Sequence, residues 1–327
     1  MGYSTEVIRK ARAQLAQEKA DRESQILQRQ QQAYAKVPRI QQIDMLLRSS
    51  MTQAAQAAFL QGTDARVAME QVMQENLKLQ KERQELAAAH FPAGWLDETP
   101  ICPHCGGNGY IGTQMCSCLL ERCRQVQIQQ IAALAAEDQR FENFKLDYYS
   151  DQVDPKFGVS PRLIMEKTMD ACLRYAKTFG PDSGNLLFIG GTGLGKTFLS
   201  GCVAAEVAGR GYSVAYETAS RLFSKLEKNR FSPDEQTAEA VAQLESCDLL
   251  IIDDLGTELP GNFVTAALYN LVNDRLLAGK SMVISTNLNV DEIATRYSPQ
   301  IASRLQGSFQ RLTFVGQDIR VMKNRGF

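Results

Sequence analysis

Residues 190–197 of the sequence, GGTGLGKT, have the composition and spacing of a loop that binds phosphate groups. In the pattern G-x-x-x-x-G-K-[ST], glycines let the backbone curl so that its N–H groups point at phosphate oxygens. Lys196 would bring a positive charge to the terminal phosphates, and Thr197 would bring a hydroxyl ligand to Mg²⁺. The residues predicted to hold the nucleotide here are Gly190, Gly191, Thr192, Gly193, Leu194, Gly195, Lys196, Thr197 and Phe198.

A second motif, LLIIDDLG at residues 249–256, places two acids at the end of an apolar run. We expect Asp253 to hold Mg²⁺ through water and Asp254 to orient or deprotonate the attacking water. Many related ATPases carry Glu at the second position, so the shorter Asp254 leaves the hydrolysis rate open. Glu258 is a weaker candidate for the same role.

Polar residues further along the chain are candidates for sensing the phosphates. The run that ends in STN would place Thr286 and Asn287 beside the γ-phosphate, although Asn is also a common turn former. Downstream, Arg296 or Arg304 could reach a neighbouring subunit's phosphate, and Arg320 could contact phosphate within its own subunit. Spacing alone favours ordinary ion pairs for each of these arginines.

Four cysteines within seventeen residues, CPHCGGNGYIGTQMCSC, suggest a metal site. Cys102 and Cys105 have the C-x₂-C spacing of a zinc knuckle, and Cys116 with Cys118 would complete a Cys₄ site. Because C-x-C is a tight pair, Cys123 or His104 remains an alternative for one ligand, and an iron–sulfur cluster remains an alternative to zinc. Four protein ligands leave no open position, so the site would be structural.

The residue pattern along the chain predicts the helices and strands that position these residues. From Pro161 onward, helical stretches alternate with short runs rich in β-branched residues, which indicates an α/β fold with a five-stranded parallel sheet. The five predicted strands are residues 185–190, 212–217, 248–253, 281–286 and 311–316. An aromatic-rich connector, FENFKLDYYSD at 141–151, precedes this core.

The N-terminal part of the sequence is Ala-, Gln- and charge-rich and has narrow apolar stripes, which predict helices separated at Pro38 and at QGTD, residues 61–64. Asp64 would cap the third helix. We divide the chain into a helical region at 1–90, a metal module with a connecting helix at 91–140 and an ATPase domain at 141–327. The helical region is either a solvated structural arm or a docking surface for a partner's helices.

Net charge and hydrophobic patterning limit which partners and which cellular location the sequence predicts. The net charge of −1 over 327 residues gives no global attraction to nucleic acid, so such contacts would need a local patch. RLFSKLEKNRF at 221–231 offers one, with Lys225, Lys228, Arg230 and Phe231, unless it is an ordinary amphipathic helix. We expect no signal peptide, lipid anchor or membrane span, and hence a cytoplasmic protein with reduced cysteines.

Taken together, FENFKLDYYSD, GGTGLGKT, LLIIDDLGTE, STN, RYSPQIASRL and GQDIR resemble, in this order, the AAA+ ATPases of the DnaC/DnaI helicase-loader family. The cysteine cluster is similar to the zinc-bearing N-terminal region of Gram-positive members. The resemblance implies ATP and Mg²⁺ binding, slow hydrolysis stimulated by single-stranded DNA, self-association, and delivery of a hexameric replicative helicase onto DNA. It also implies that Arg304 is an arginine finger, that Arg320 is a second sensor, and that the helical lid of most AAA+ proteins is absent.

Two other functions fit parts of the sequence. IstB-type helpers of transposases share this ATPase core and lack the lid, but typically have no cysteine cluster. A nucleotide-gated adaptor would use ATP binding alone as its switch, with Asp253 and Asp254 supporting little hydrolysis. A metabolic kinase is disfavoured because no acceptor-substrate motif is present.

Overall fold

The computed structural model describes residues 3–60, 65–134 and 139–324. The chain divides into two compact units, one of residues 13–118 and one that combines residues 1–12 with residues 119–327. In the described part of the chain, no helix is long and apolar enough to cross a membrane.

The unit of residues 13–118 is mainly helical. Its elements are α1 (Thr5–Lys36, which begins in the other unit), α2 (Pro38–Leu60), α3 (Ala65–His90), β1 (Tyr110–Ile111) and β2 (Gln114–Met115). Helices α2 and α3 pack together, and the Asp44 carboxylate accepts a hydrogen bond of 2.7 Å from Arg83 Nε across them. The three predicted helices and the break at Pro38 are confirmed, whereas the proposed cap Asp64 lies outside the described residues.

The larger unit is built on a five-stranded parallel sheet, in the order β4-β5-β6-β3-β7. The predicted α/β class and all five strands are confirmed. The strands are β3 (Asn185–Ile189), β4 (Val214–Thr218), β5 (Leu249–Leu255), β6 (Ser281–Thr286) and β7 (Phe309–Thr313). Strand β5 begins with four fully buried residues, 249–252, because a central parallel strand is covered on both faces.

Helices connect and cover these strands. They are α4 (Ser117–Leu134), α5 (Pro161–Lys177), α6 (Lys196–Gly209), α7 (Ala219–Phe231), α8 (Glu235–Ser246), α9 (Asn262–Leu277), α10 (Val290–Arg296), α11 (Pro299–Ser308) and α12 (Ile319–Asn324). Local capping starts several of them: Ser160 caps α5 ahead of Pro161, and Asp234 and Thr237 form a capping box on α8.

The division into units differs from the boundaries that we drew at residues 90 and 140. The Tyr3 hydroxyl donates to the carbonyl of Gly211, and Val7 and Ala11 are buried. From α4, the Gln127 carboxamide donates to the Tyr212 carbonyl (2.9 Å) and accepts from the Val214 N–H (3.0 Å). These bonds satisfy backbone groups at the entrance of β4, so the first residues of the chain and most of α4 belong to the α/β unit.

Candidate nucleotide-binding site and cysteine cluster

The loop between β3 and α6 has the backbone that phosphate binding requires. Gly193 and Gly195 have φ of 69° and 89°, a region that side chains disfavour. A Cβ on Gly190 would lie 2.4 Å from the Phe314 carbonyl oxygen, so only glycine fits beside β7. The loop therefore opens directly onto the N-terminus of α6, where backbone N–H groups attract anions.

Lys196 is buried at the start of α6, with 4% of its surface exposed. Its ammonium donates to the carbonyls of Gly190 (2.7 Å) and Gly191 (2.6 Å) and to Asn287 Oδ1 (2.5 Å). Burial lowers the pKa of Lys196, whereas the carboxylates of Asp254 and Asp253 raise it. The structure thus joins the phosphate loop directly to Asn287, the residue that follows β6.

The two acids of β5 lie at an irregularity in the sheet. The register between β5 and β6 shifts between Ile252 and Leu255, and Asp254 adopts φ 56°. Asp253 is 2% exposed and accepts hydrogen bonds from Ser285 Oγ (2.5 Å) and the Tyr216 hydroxyl (3.0 Å). The bulge turns the two consecutive carboxylates into different surroundings, and Asp254 is the one that lines the adjacent cavity.

The environment of Asp254 raises the pKa of its carboxyl. Burial raises the pKa of this carboxyl, and the nearby charge of Asp253 raises it further, against opposing effects of Lys196 and Arg320. A carboxylate with a raised pKa is a better general base than an exposed aspartate.

A cavity of about 700 Å³ connects these parts. On one side lie the phosphate loop, Asp254 and Asn287, and on the other the connector that precedes the core. The lining residues are Gln139, Asn143, Phe144, Lys145, Tyr148, Tyr149, Thr192–Phe198, Asp254, Thr257, Asn287, Ile319 and Arg320. The volume is in the range of small-molecule sites.

The wall formed by the connector was not among our predicted site residues. Phe144 packs against Phe198 and Tyr149, with ring centroids 5.8 Å apart in both pairs. The Tyr149 hydroxyl donates to the Leu194 carbonyl in the phosphate loop (2.9 Å). The density of aromatic residues at 141–149 was the available signal, because flat apolar side chains beside a phosphate loop suit a nucleotide base.

The C-terminal segment closes another side of the cavity. The Ile319 N–H donates to the Gly193 carbonyl (3.0 Å), and a Cβ on Gly193 would fall 1.9 Å from Asp318 Oδ1. Arg320 follows at the start of α12 and lines the cavity. The structure therefore brings Arg320 to the same cavity as the phosphate loop.

Two other candidate residues, Thr286 and Glu258, are buried and do not line the cavity. Thr286 is fully buried, and its hydroxyl donates to the Leu255 carbonyl (2.7 Å) instead of lining the cavity. Glu258 is also buried: its carboxylate accepts from the Tyr297 hydroxyl and from the Gly256 N–H (2.9 Å), and it pairs with Arg296. These contacts assign Thr286 and Glu258 to structural roles and hold Arg296 in the same network.

Arg304 lies on α11, away from the cavity lining. Its guanidinium donates to the Tyr269 hydroxyl (2.8 Å) and lies over the Tyr269 ring, 4.9 Å from the centroid. Helix α9 thus supplies a rigid support for this half-buried arginine.

The four predicted DNA residues all lie on α7. Lys225 is paired with Glu217, and Lys228 donates to the Asp234 carboxylate (2.9 Å). The Arg230 guanidinium lies 5.6 Å from the rings of both Phe231 and Phe263, and Phe231 is 65% exposed. Both lysines therefore have acidic partners, while Phe231 is largely exposed beside Arg230 and Phe263.

The other predicted site, in the unit of residues 13–118, brings four sulfurs together. The Sγ atoms of Cys102, Cys105, Cys116 and Cys118 all lie within 4.8 Å of one another. Cys102 and Cys116 are 3.7 Å apart and Cys105 and Cys118 are 3.4 Å apart, and none forms a disulfide. Zn–S bonds of 2.3 Å in a tetrahedron give S···S separations of about 3.8 Å, so this donor set fits zinc.

A backbone N–H group at the cluster favours the thiolate of Cys105. The Gly109 N–H donates to Cys105 Sγ (3.2 Å), within the turn that leads to the β1–β2 hairpin. Burial opposes ionisation of Cys105, but this bond and the neighbouring thiols lower its pKa to about 6. His104 is exposed and Cys123 lies further along α4, and neither belongs to the four-residue group in the described chain.

Comparison with known proteins identifies the family. The family model described as IstB-like ATP binding protein matches residues 124–306, more than half of the chain. The replicative helicase loader DnaC of Buchnera aphidicola (subsp. Schizaphis graminum) is 24% identical over 177 residues, covering 53% of this chain and 66% of that protein. DnaC of Escherichia coli K12 is 22% identical over 133 residues, covering 41% and 54%.

The crystal structure of a DnaC helicase loader superposes with a TM-score of 0.44 and 18% identity, covering 54% of this chain and 98% of that chain. The chain thus matches slightly under two thirds of the Buchnera relative and about half of the Escherichia relative. With the family model spanning the phosphate loop, both acids and Arg304, the chain belongs to the family of IstB-like ATP-binding proteins.

Proposed function

We propose that this protein is an ATP-dependent loader that binds a replicative DNA helicase and delivers it onto single-stranded DNA. The main support is the linked arrangement of Lys196, Asn287 and Asp254 around one cavity, in a chain whose relatives include replicative helicase loaders named DnaC. The cysteine cluster, which transposase helpers of the IstB type typically lack, favours the loader over the helper.

Several residues of the cavity, together with the adjacent Asp253, have roles in the proposed ATP hydrolysis. The loop N–H groups and Lys196 bind the phosphates, and Lys196 exchanges its carbonyl partners for phosphate oxygens. Thr197 and Asp253 would hold Mg²⁺, which neutralises phosphate charge. Asp254 accepts the proton of the attacking water, Asn287 orients that water, and Arg320 stabilises the charge that develops on the phosphates.

Self-association would complete the site. Arg304 does not line its own cavity, and Tyr269 holds its guanidinium in place. An arginine held in this way suits contact with the γ-phosphate of a neighbouring copy, which would stabilise transition-state charge. The oligomer would then couple ATP turnover in one copy to the position of the next.

The helicase would dock on the helical hairpin. Met45 and Leu46 on α2 and Met73 and Leu77 on α3 are 46–62% exposed, and Met73 and Leu77 are four residues apart on one helical face. Exposed apolar side chains at this spacing fit helix-to-helix recognition.

A pull-down with purified replicative helicase and, in parallel, with purified transposase tests this function. Wild-type protein should retain the helicase, and Met73→Glu with Leu77→Glu should abolish retention. The matched control, Gln74→Ala with Lys78→Ala, changes exposed neighbours on the same helix and should bind normally. Capture of a transposase instead of the helicase would overturn the proposal in favour of the helper function.

Contact with single-stranded DNA would involve α7. Stacking of a base on Phe231 and one phosphate contact at Lys228 are the proposed interactions. Lys228→Ala with Phe231→Ala should weaken DNA affinity by about 1–3 kcal/mol, through the lost stacking, and leave ATP binding intact. Measuring DNA affinity over a range of salt concentrations tests this. If the variant has the same affinity and the same salt dependence of binding as the wild type, α7 is not part of the DNA site.

A further inference from the structure

Ser285 on β6 contacts both acids of β5 through one hydroxyl group. Its Oγ donates to Asp253 Oδ1 (2.5 Å) and accepts from the backbone N–H of Asp254 (2.9 Å). Ser285 is completely buried. One donor and one acceptor site of the hydroxyl are thereby used on two consecutive residues whose side chains have different tasks.

The backbone at these acids needs such support. In the described part of the chain, Asp254 is the one non-glycine residue with positive φ, at 56°. This conformation costs about 1–2 kcal/mol for a residue with a Cβ and persists where the surroundings fix it. Here the neighbouring strand fixes it on two sides, since Ser285 bonds the Asp254 N–H and Thr286 bonds the Leu255 carbonyl.

The carboxylate of Asp253 is oriented in the same way. Ser285 donates to one oxygen from β6, and Tyr216 donates to the other from β4 (3.0 Å). An ionised carboxylate has about four acceptor positions, so two remain for water in the coordination shell of a metal ion. Hydrogen-bonded partners of this kind fix the direction of a metal-binding carboxylate.

We propose that Ser285 is a positioning residue for the metal and for hydrolysis, which orients the Asp253 carboxylate and holds Asp254 in its left-handed backbone conformation. This goes beyond the assignment of the STN segment to phosphate sensing, because only Asn287 of that segment lines the cavity. The proposal rests on the proposed ATP-dependent function for its effect on turnover, but its effect on metal affinity can be measured without turnover.

Ser200 provides a matched control. It is also a completely buried serine, on α6, but its hydroxyl has no hydrogen-bond partner in the structure. Ser200→Ala therefore removes the same atom as Ser285→Ala without breaking a bond to the acids.

The test is a titration with Mn²⁺, followed by electron paramagnetic resonance, of the full chain bound to a non-hydrolysable ATP analogue. Ser285→Ala should weaken Mn²⁺ binding by about 10- to 100-fold, the usual effect of losing a partner of a metal-binding group. In EDTA, Ser285→Ala should bind nucleotide with the same affinity as Ser200→Ala. In the ATPase assay, Ser285→Ala should have a lower kcat and a nearly unchanged KM. Ser285→Thr, which retains the hydroxyl, should restore most of the Mn²⁺ affinity.

Equal Mn²⁺ affinity and equal turnover in Ser285→Ala and Ser200→Ala would overturn the proposal. If Ser285→Ala does not fold, Ser285→Cys keeps the volume and supplies only a weak donor, and the same loss of Mn²⁺ affinity is expected from it. Normal metal binding by folded Ser285→Cys would also overturn the proposal. If the metal affinities are as expected but the wild type does not turn over ATP, the proposed function is contradicted and the role of Ser285 in metal binding stands.

Discussion

The nucleotide site and the cysteine cluster both come from short sequence motifs, but different interactions hold them in place. The nucleotide residues stand at the ends of parallel strands, where backbone pairing and a buried core fix them before any ligand arrives. The cysteines lie in turns, directly after a hairpin with two residues per strand, and in the first turn of α4, with little apolar packing around them. A preorganised site depends on its fold, whereas the cluster depends on what its thiolates bind.

The largest effect should come from removing two thiolates. Cys102→Ser with Cys116→Ser should abolish metal binding, and structural zinc contributes an apparent 10–16 kcal/mol, about the whole stability of a small domain. Mass spectrometry should find about one zinc per chain in the wild type and none in the variant. Hydrogen exchange should increase sharply at residues 98–118.

Residues 249–286 should keep their exchange protection in that variant, because the parallel sheet holds them independently of the metal. Cys123→Ala is the control, since its thiol is outside the four-residue group. Full zinc content in the double variant, or iron in place of zinc, would contradict the assignment of the cluster.

The next effect concerns Asp254. Asp254→Asn should lower kcat by about 10²–10⁴-fold, the usual contribution of a general base, with ATP binding unchanged. Burial raises the pKa of Asp254. On lowering the pH, the active, deprotonated form should therefore be lost at a higher pH than it would be for an exposed aspartate. A kcat–pH profile should show this acidic limb in the wild type and lose it in the variant.

Lys196→Ala supplies the baseline for these assays. Wild-type turnover no higher than that of Lys196→Ala, with or without single-stranded DNA, would favour a nucleotide-gated adaptor over an ATPase. An acidic limb that persists in Asp254→Asn would assign the base to another residue.

Glu258 should behave in the opposite way to Asp254. Glu258→Ala leaves the Tyr297 hydroxyl and the Gly256 N–H without their buried acceptor, which should lower the free energy of unfolding by about 1–3 kcal/mol. Urea denaturation measures this loss. Turnover per folded molecule should remain near the wild-type value, and a kcat loss as large as that of Asp254→Asn would return Glu258 to the catalytic group.

The contrast between these acids shows what the sequence could predict. Contiguous motifs located Lys196, Asn287 and the β5 acids, because a strand end fixes where its last residues lie. The roles of Glu258 and Thr286 depended on long-range partners, Tyr297 and the Leu255 carbonyl, which spacing along the chain does not specify. The four cysteines were predictable because their chemistry requires them to meet.

The connector at 141–149 was recognised as aromatic but not as part of the site, since nothing in its own sequence says where it packs. Phe144→Leu tests it with the smallest expected effect. Loss of the contacts with Tyr149 and Phe198 should weaken ATP binding by about 0.5–1.5 kcal/mol, and fluorescence titration with a labelled ATP analogue would measure it.

Phe157→Leu is the control, because that ring lies outside the cavity lining. Equal affinity in the two variants would mean that the sheet and its loops alone determine nucleotide binding. Weaker binding by Phe144→Leu alone would show that even the preorganised site depends on a segment outside the sheet. The nucleotide site would then differ from the cysteine cluster in degree, since both would need a contribution from irregular chain, but only the cluster would need a metal ion to hold that chain in place.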